Sequence, residues 1–136
     1  MEPKDLEFEE IRESWNVYEL PDKTLIKVKI ILSRLIQEGV LDLTGNPVLS
    51  FMINTVIGSV PVKKIEGEII PEENMDFKPV KEPGSEYKLN DGSFLEFKPH
   101  VAQINRINSR DQRGDPNYIV QIQPLATFKK HKNGKK

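Results

Sequence analysis

The chain repeats itself at an offset of 69 residues, and this repeat constrains the fold more than any other feature. Residues 18–58 align without a gap on residues 87–127, and eight of the 41 aligned pairs are identical. Other pairs keep their character, as Leu25 does with Phe94. Self-similarity at a fixed spacing indicates that two segments adopt one local fold. The sequence therefore predicts two tandem copies of one structural unit.

Alternating apolar residues predict that each copy is made of β-strands. Apolar residues occupy every second position from Ile26 to Leu32, and residues 95–101 follow the same pattern. A period of two is typical of a half-buried strand, and two apolar faces would pack against each other. We therefore expect a mainly all-β fold. It is a pseudo-two-fold barrel or sandwich, built from two tandem three-stranded repeats and preceded by a short N-terminal helix or extension.

Aspartate, glycine and proline recur at matched positions between these strands and predict turns. Glycine permits a positive φ, aspartate can accept hydrogen bonds from nearby amides, and proline can open a strand. Paired carboxylates for acid–base catalysis are the alternative for the four aspartates. We interpret the whole set as structural turn residues, namely Asp22, Asp42, Gly45, Pro47, Asp91, Gly92, Asp111, Gly114 and Pro116.

Pro99 lies inside one of the predicted strands. Proline has no N–H to donate to a neighbouring strand, so a central strand tolerates it poorly. We therefore expect a β-bulge or an edge position at this residue.

Opposite charges gather in the two halves of the chain. Residues 1–86 hold 10 Lys+Arg and 17 Asp+Glu, a net charge of −7, whereas residues 87–136 hold 10 and 4, a net charge of +6, and together they give the overall −1. Such a chain can associate head to tail or offer its basic half to an anionic partner. The predicted organisation is an acidic N-terminal extension (1–14), a single β domain (15–128) made of repeat 1 (18–58), a connector (59–86) and repeat 2 (87–127), and a disordered lysine-rich tail (129–136).

Basic side chains of the second copy and the tail are the candidate contacts for an anion or a partner. Three arginines fall between two predicted strands, and five lysines fall within the last eight residues. A basic loop and a basic arm beside the aromatic Tyr118 could also bind single-stranded nucleic acid without sequence preference. The candidate residues are Lys98, His100, Arg106, Arg110, Arg113, Lys129, Lys130 and Lys132.

The sequence shows no recognisable catalytic or metal-binding pattern. The chain has no cysteine, and its two histidines, His100 and His131, are 31 positions apart. Neither a phosphate-binding glycine loop nor a His-Glu-x-x-His motif occurs. We therefore expect no catalytic residues, no metal, no cofactor and no enzymatic activity, although an enzyme using carboxylates, lysine or tyrosine remains a third class of function.

The sequence favours a non-catalytic β-rich assembly or protein-binding module that uses opposed acidic and basic surfaces. Its partner would be a second copy, giving a homo-oligomer, or another protein, and nucleic-acid binding is the alternative. No apolar run is long enough for a membrane span, and the N-terminus lacks the order of a signal peptide. We therefore expect a cytoplasmic protein without membrane partners. The acidic candidates are Glu7, Glu9, Glu10, Glu13, Glu72, Glu73 and Asp76.

Overall fold

The computed structural model describes residues 2–62 and 67–130, and these residues form strands without any helix. The prediction of an all-β fold is confirmed. The nine strands are β1 (Lys4–Asp5), β2 (Phe8–Glu13), β3 (Asn16–Glu19), β4 (Leu25–Leu41), β5 (Pro47–Val60), β6 (Lys78–Lys81), β7 (Ser85–Leu89), β8 (Phe94–Arg110) and β9 (Pro116–Lys129).

The strands form two antiparallel sheets. In the first sheet, β4 pairs with β5 on one side and with β3 and then β1 on the other, and β6 pairs with the far side of β3. The second sheet has the order β2-β7-β8-β9. Within the described residues β5 and β9 do not pair with each other, so the sheets do not close. The barrel alternative is therefore wrong.

The acidic N-terminal segment belongs to both sheets, and the expected helix is absent from it. Lys4 and Asp5 pair with β4 of the first sheet, whereas Phe8–Glu13 pairs with β7 of the second sheet. A short helix alone is marginal in water, but a strand laid along β7 gains ladder hydrogen bonds at once. Of the two predicted alternatives, a helix or an extension, the helix is therefore wrong, and the segment is extended.

A second segment crosses between the sheets in the opposite direction. Glu72 exchanges backbone hydrogen bonds with Arg106 on β8, and the Met75 N–H donates to the Ile104 carbonyl at 2.8 Å. The chain then continues into β6, which pairs with β3 of the first sheet. Each sheet is therefore completed by a strand whose preceding residues are bonded to the other sheet.

The apolar core divides into two clusters, and each takes side chains from both sheets. The first combines the early part of β4, such as Ile26 and Val28, with Val101 and Ile104 of β8. The second combines the middle of β4 with β7 and with the early part of β8, including Phe97. Burying one such side chain contributes about 1.5–3 kcal/mol. The apolar residues that are at most 2% exposed are Tyr18, Leu20, Ile26, Val28, Ile30, Leu35, Tyr87, Leu95, Phe97 and Ile104.

Two buried tyrosines contact the crossing segments, which are residues 4–13 and residues 72–81. Tyr18 packs edge to face on Phe77, with ring centroids 5.9 Å apart, and Tyr87 packs in the same way on Phe8 at 5.6 Å. The Tyr87 hydroxyl also accepts a 2.9 Å hydrogen bond from the Leu32 N–H. The two ring contacts join each crossing segment to the sheet that it completes, and the Leu32–Tyr87 bond joins the two sheets.

Strand β8 pairs with β9 at Pro99, but its pairing with β7 ends before this residue, so among the described residues Pro99 has the edge position that the sequence predicts. Its cross-strand neighbour on β9 is Pro124, and the pairing of β8 with β7 ends at Phe97. The missing N–H of Pro99 therefore faces a stretch that β7 does not reach, and no ladder bond is lost. The bulge of β8 begins two residues later, between Val101 and Gln103.

Candidate protein-binding surface

The four turn aspartates each hold a loop through backbone hydrogen bonds. One Oδ1 atom in each loop accepts from an amide two residues later: Asp22 from Thr24 at 3.0 Å, Asp91 from Ser93 at 2.9 Å, Asp42 from Thr44 at 2.9 Å and Asp111 from Arg113 at 2.9 Å. Gly45 and Gly114 have φ values of +86° and +88°, and Gly92 has +89°. Each of these carboxylates thus accepts backbone hydrogen bonds within its own turn.

Hydrogen bonds lower the pKa of two of these carboxyl groups. The Thr44 hydroxyl is the largest cause for Asp42, followed by the Asn46 amide, and the Asp115 amide is the largest cause for Asp111. Both groups are therefore held in the charged form that accepts hydrogen bonds. A general acid needs the opposite shift, toward neutral pH.

Arg106 has acidic partners within its own chain. Its side chain is only 15% exposed, and it lies 3.5 Å from Glu72 and 4.0 Å from Asp22. Its Nε atom donates to the Ile70 carbonyl at 2.8 Å. This side chain joins the connector and the turn after β3 to the end of β8.

Arg110 and Arg113 lie at the turn between β8 and β9 and also bind groups of their own chain. Arg110 donates to the carbonyls of Gly114 and Gly67. Arg113 lies 3.2 Å from Asp111 and 3.5 Å from Asp115. Its guanidinium also donates to the Ser59 carbonyl at the end of β5, at 3.1 Å. The arginines thus stabilise loops.

The remaining basic candidates lie elsewhere. Lys98 and His100 are exposed on β8 at positions that alternate with the buried Phe97 and Val101, so they point to the outer face of the second sheet. Lys129 lies 3.5 Å from Glu96, and Lys130 is exposed. Lys132 lies outside the described residues. The structure therefore does not bring the predicted anion-contact residues together into one cluster.

Strand β5 forms an exposed edge without charge. It is 14 residues long, and among the described residues it pairs only with β4. No charged residue occurs from residue 43 to residue 62. Proteins usually protect a long sheet edge with charges, prolines or a covering segment, because an unprotected edge pairs with other strands.

Two hydrogen bonds of β4 establish which backbone groups of β5 face outward. The Ile30 carbonyl accepts from the Ser85 hydroxyl at 2.6 Å, and the Leu32 N–H donates to Tyr87. Both residues therefore turn their backbone groups away from β5. In an antiparallel ladder their cross-strand partners, Thr55 and Ile53, must then turn theirs to the open edge.

The corresponding edge of β9 is blocked by proline. Pro99 and Pro124 lie opposite each other, and neither has an N–H, so they cannot exchange ladder hydrogen bonds. The nitrogen of Pro124 therefore points to the outer edge, where its missing proton removes a donor. The residue 69 positions earlier, on β5, is Thr55. Of these two matched edges, the edge of β5 is thus open and the edge of β9 is closed.

Apolar side chains flank the open part of the β5 edge on both faces of the sheet. Phe51 and Ile57 are 38% and 42% exposed, and Met52 and Val56 are 55% and 41% exposed. Successive residues of a strand point to opposite faces, so the first two share one face and the last two share the other. A strand added at this edge would cover apolar surface on both sides.

Sequence reasoning overlooked this surface, although the sequence carries two signals for it. One is the uncharged segment of residues 43–62. The other is the substitution of Thr55 by Pro124 between aligned positions, which distinguishes an open edge from a protected one. Both signals acquire meaning only when β5 and β9 are known to be the outer strands.

Comparison with known proteins finds no matching family model, no matching curated protein and no matching solved structure. The described part of the chain contains no group of three His, Asp or Glu side chains that could hold a metal ion. It also contains no helix that is long and apolar enough to cross a membrane.

Proposed function

We propose that this chain is a non-catalytic, cytoplasmic protein-binding module that takes up an extended strand at the β5 edge. The observation that carries the proposal is the contrast between two matched edges, open at Thr55 and closed at Pro124. Addition of a strand to an open sheet edge is a recurrent mode of recognition, in which backbone hydrogen bonds supply affinity. The apolar residues beside the edge would add burial of side chains.

The internal ion pairs favour this edge over the opposed charged surfaces expected from the sequence. Arg106 and Arg113 already have carboxylate partners within the chain. On the acidic side, Glu72 pairs with Arg106, and Glu13 accepts a hydrogen bond from Tyr87. Charged groups that already pair within the chain gain less free energy from pairing with a neighbouring molecule. Long-range attraction between the two halves would only assist association.

Nucleic-acid binding remains the alternative prediction. Among the described candidates, Lys98, His100 and Lys130 are exposed without a carboxylate partner among the ion pairs. If three to five phosphates were neutralised, the logarithm of affinity would fall with the logarithm of salt with a slope of about −2 to −5. A labelled oligonucleotide titration that gave such a slope would favour this alternative.

A labelled peptide with the sequence of residues 47–60 tests the proposed function directly. We expect the full chain to bind this peptide, since the peptide can supply the missing strand. Thr55→Pro should abolish binding, because it removes an outward N–H while leaving the β4 ladder intact. Ala126→Pro makes the equivalent change on the blocked edge of β9 and should bind as the wild type does. Equal binding by Thr55→Pro and wild type, both folded by circular dichroism, would overturn the proposal.

We also infer that the two halves arose by duplication and keep a pseudo-two-fold relationship. Three observations support this origin: β8 and β9 begin and end 69 residues after β4 and β5, the ladder irregularities recur at the same offset, and Phe8 and Phe77 take equivalent places. The two copies now differ at this edge, where the second copy has Pro124 and the first copy has Thr55.

A further inference from the structure

We propose that the partner at the open edge is the same strand of a second copy of this chain. This inference rests on the proposed function and names its partner. The two β5 strands would run antiparallel about a two-fold axis that passes between Asn54 and the partner's Asn54. The result is a homodimer in which the first sheets of two protomers become one continuous sheet.

The absence of charge makes β5 compatible with itself. In a two-fold interface each residue meets either its own copy or a residue of the same strand. Directly opposed like charges destabilise a strand pair, and charged side chains are one of the ways in which proteins protect an edge strand. Residues 43–62 carry none, so the strand can pair with its copy without repulsion.

The order of side chains along β5 fixes the register. An axis at Asn54 places Met52 opposite the partner's Val56, and Phe51 opposite the partner's Ile57. These four apolar positions are among the exposed large side chains of the chain. Asn54 then lies opposite the partner's Asn54, and two amide side chains can donate to and accept from each other. Apolar residues thus meet apolar residues, and the polar residue at the centre meets itself.

The backbone fits the same register. Phe51, Ile53, Thr55 and Ile57 alternate along one strand, and Ile53 and Thr55 face the open edge, so all four present their N–H and C=O groups there. About eight ladder hydrogen bonds would then join the two strands. The Ser59 carbonyl already accepts from Arg113, so the ladder ends before that residue. An axis nearer to either end of β5 would form fewer bonds.

Charge-reversal variants at the axis test this register. The mass of wild type, Asn54→Lys and Asn54→Glu would be measured by light scattering and sedimentation over a range of concentrations. Wild type should dimerise. Each single variant should dimerise with an affinity at least about tenfold lower, because it places like charges side by side. An equimolar mixture of the two variants should recover the dimer, since lysine then meets glutamate. Gln123→Lys and Gln123→Glu, 69 residues later on β9, are the matched controls and should dimerise as wild type does.

Each outcome discriminates between the inference and the proposed function. Recovery of the dimer in the mixture, and only there, establishes the axis at Asn54. A monomeric wild type that still binds the peptide of residues 47–60 would overturn the homodimer and leave strand addition in place. A dimer unaffected by Asn54→Lys and by Thr55→Pro would overturn the homodimer at β5, because the contact would then lie elsewhere on the molecule, and equal peptide binding by Thr55→Pro and wild type would overturn the proposed function as well.

Discussion

The Tyr18 hydroxyl donates a 2.7 Å hydrogen bond to the Glu82 carboxylate, although the two residues are 64 positions apart. Tyr87 makes the equivalent bond to Glu13, at 2.5 Å. In both pairs the tyrosine lies in the core and the glutamate lies on, or just beyond, a strand that crosses from the other sheet. Each crossing segment is therefore attached to the core by one side-chain hydrogen bond as well as by its aromatic ring.

These tyrosines should make the fold sensitive to alkaline pH. Burial, then the Glu82 carboxylate, raises the pKa of Tyr18 well above its ordinary value of 10.0, and burial, then Glu13, does the same for Tyr87. Above pH 10 the unfolded chain releases these protons while the folded chain keeps them, so the free energy of unfolding falls as pH rises. Below pH 10 both states keep the protons, and the contribution stays constant.

Urea unfolding of wild type and of Tyr18→Phe/Tyr87→Phe between pH 8 and pH 11 measures this effect. At pH 8 the double variant should be less stable by about 1–3 kcal/mol for each lost hydrogen bond to a charged group. Above pH 10 its stability should fall less steeply than that of wild type, because it lacks the two tyrosine hydroxyl groups. The lysines titrate in both proteins, so some decrease with pH remains. Identical slopes would show that the tyrosines titrate normally in the folded chain.

Alanine at Gly84 should destabilise the fold strongly. This glycine has a φ of +73°, and an added Cβ would lie 2.5 Å from the Phe97 carbonyl oxygen. A positive φ alone costs a residue with a Cβ about 1–2 kcal/mol, and the contact with a backbone atom leaves little room for relief. We expect Gly84→Ala to lose about 2–4 kcal/mol in urea unfolding.

Gly58→Ala is the matched control for this change. Gly58 lies in β5, its φ is not in the left-handed region, and an added Cβ would have nothing within 4 Å. Its stability should stay within about 0.5–1 kcal/mol of wild type, because alanine is tolerated in a strand. A similar loss in both variants would mean that the backbone near Phe97 can move aside.

Removal of Arg12 should weaken the attachment of β2 to the second sheet. Its guanidinium lies 3.2 Å from both Glu86 and Glu96, and it donates to the carbonyls of Pro83 and Gly84. Arg12→Met would leave two glutamates close together without their shared cation. We expect a loss of about 1–3 kcal/mol in the free energy of unfolding.

The corresponding change at Arg34 should have a small effect. Arg34 lies 3.0 Å from Asp5, but both side chains are more than half exposed. Exposed pairs contribute about 0–1 kcal/mol, and salt screens them. Arg34→Met should therefore unfold within about 0.5 kcal/mol of wild type. Equal losses at Arg12 and Arg34 would show that the partly buried network adds nothing beyond a surface pair.

Local periodicity predicted the strands of the core correctly. The alternating residues from Ile26 to Leu32 are buried as expected, and so are Leu95, Phe97 and Val101. The lengths were underestimated, since β4 and β8 both continue for several residues beyond the alternation. A bulge shifts the register of each strand there, and a pattern with a fixed period of two cannot follow it.

The crossing segments could not be predicted from local pattern, because their partners lie in the other sheet. Phe8–Glu13 is acidic and has no clear alternation, and its strand conformation depends on the open side of β7. The residue offset did contain a hint. Extending it upstream aligns Phe8 with Phe77 and Glu13 with Glu82. The two sequence signals at β5 could likewise not be interpreted alone, since a sequence does not show which strands lie at a sheet edge.

Truncation of the two crossing phenylalanines should disturb opposite parts of the molecule. Phe8 packs on Tyr87 in the second cluster of the core, and Phe77 packs on Tyr18 in the first. Both rings are partly buried, so Phe8→Ala and Phe77→Ala should each cost about 2–3 kcal/mol, less than the loss at a fully buried site.

Hydrogen exchange followed by mass spectrometry would locate the two effects. Because local opening follows the loss of packing, Phe8→Ala should speed exchange first in β7, and Phe77→Ala should do so first in β3. Each variant serves as the control for the other, since the pair differs in position and not in chemistry. If both variants loosened the same strand, or if each acted only on its neighbours in sequence, the exchange of segments between the sheets would be refuted. Faster exchange in β7 for one variant and in β3 for the other would mean that each half of the chain is held in place by the aromatic ring that precedes the other half.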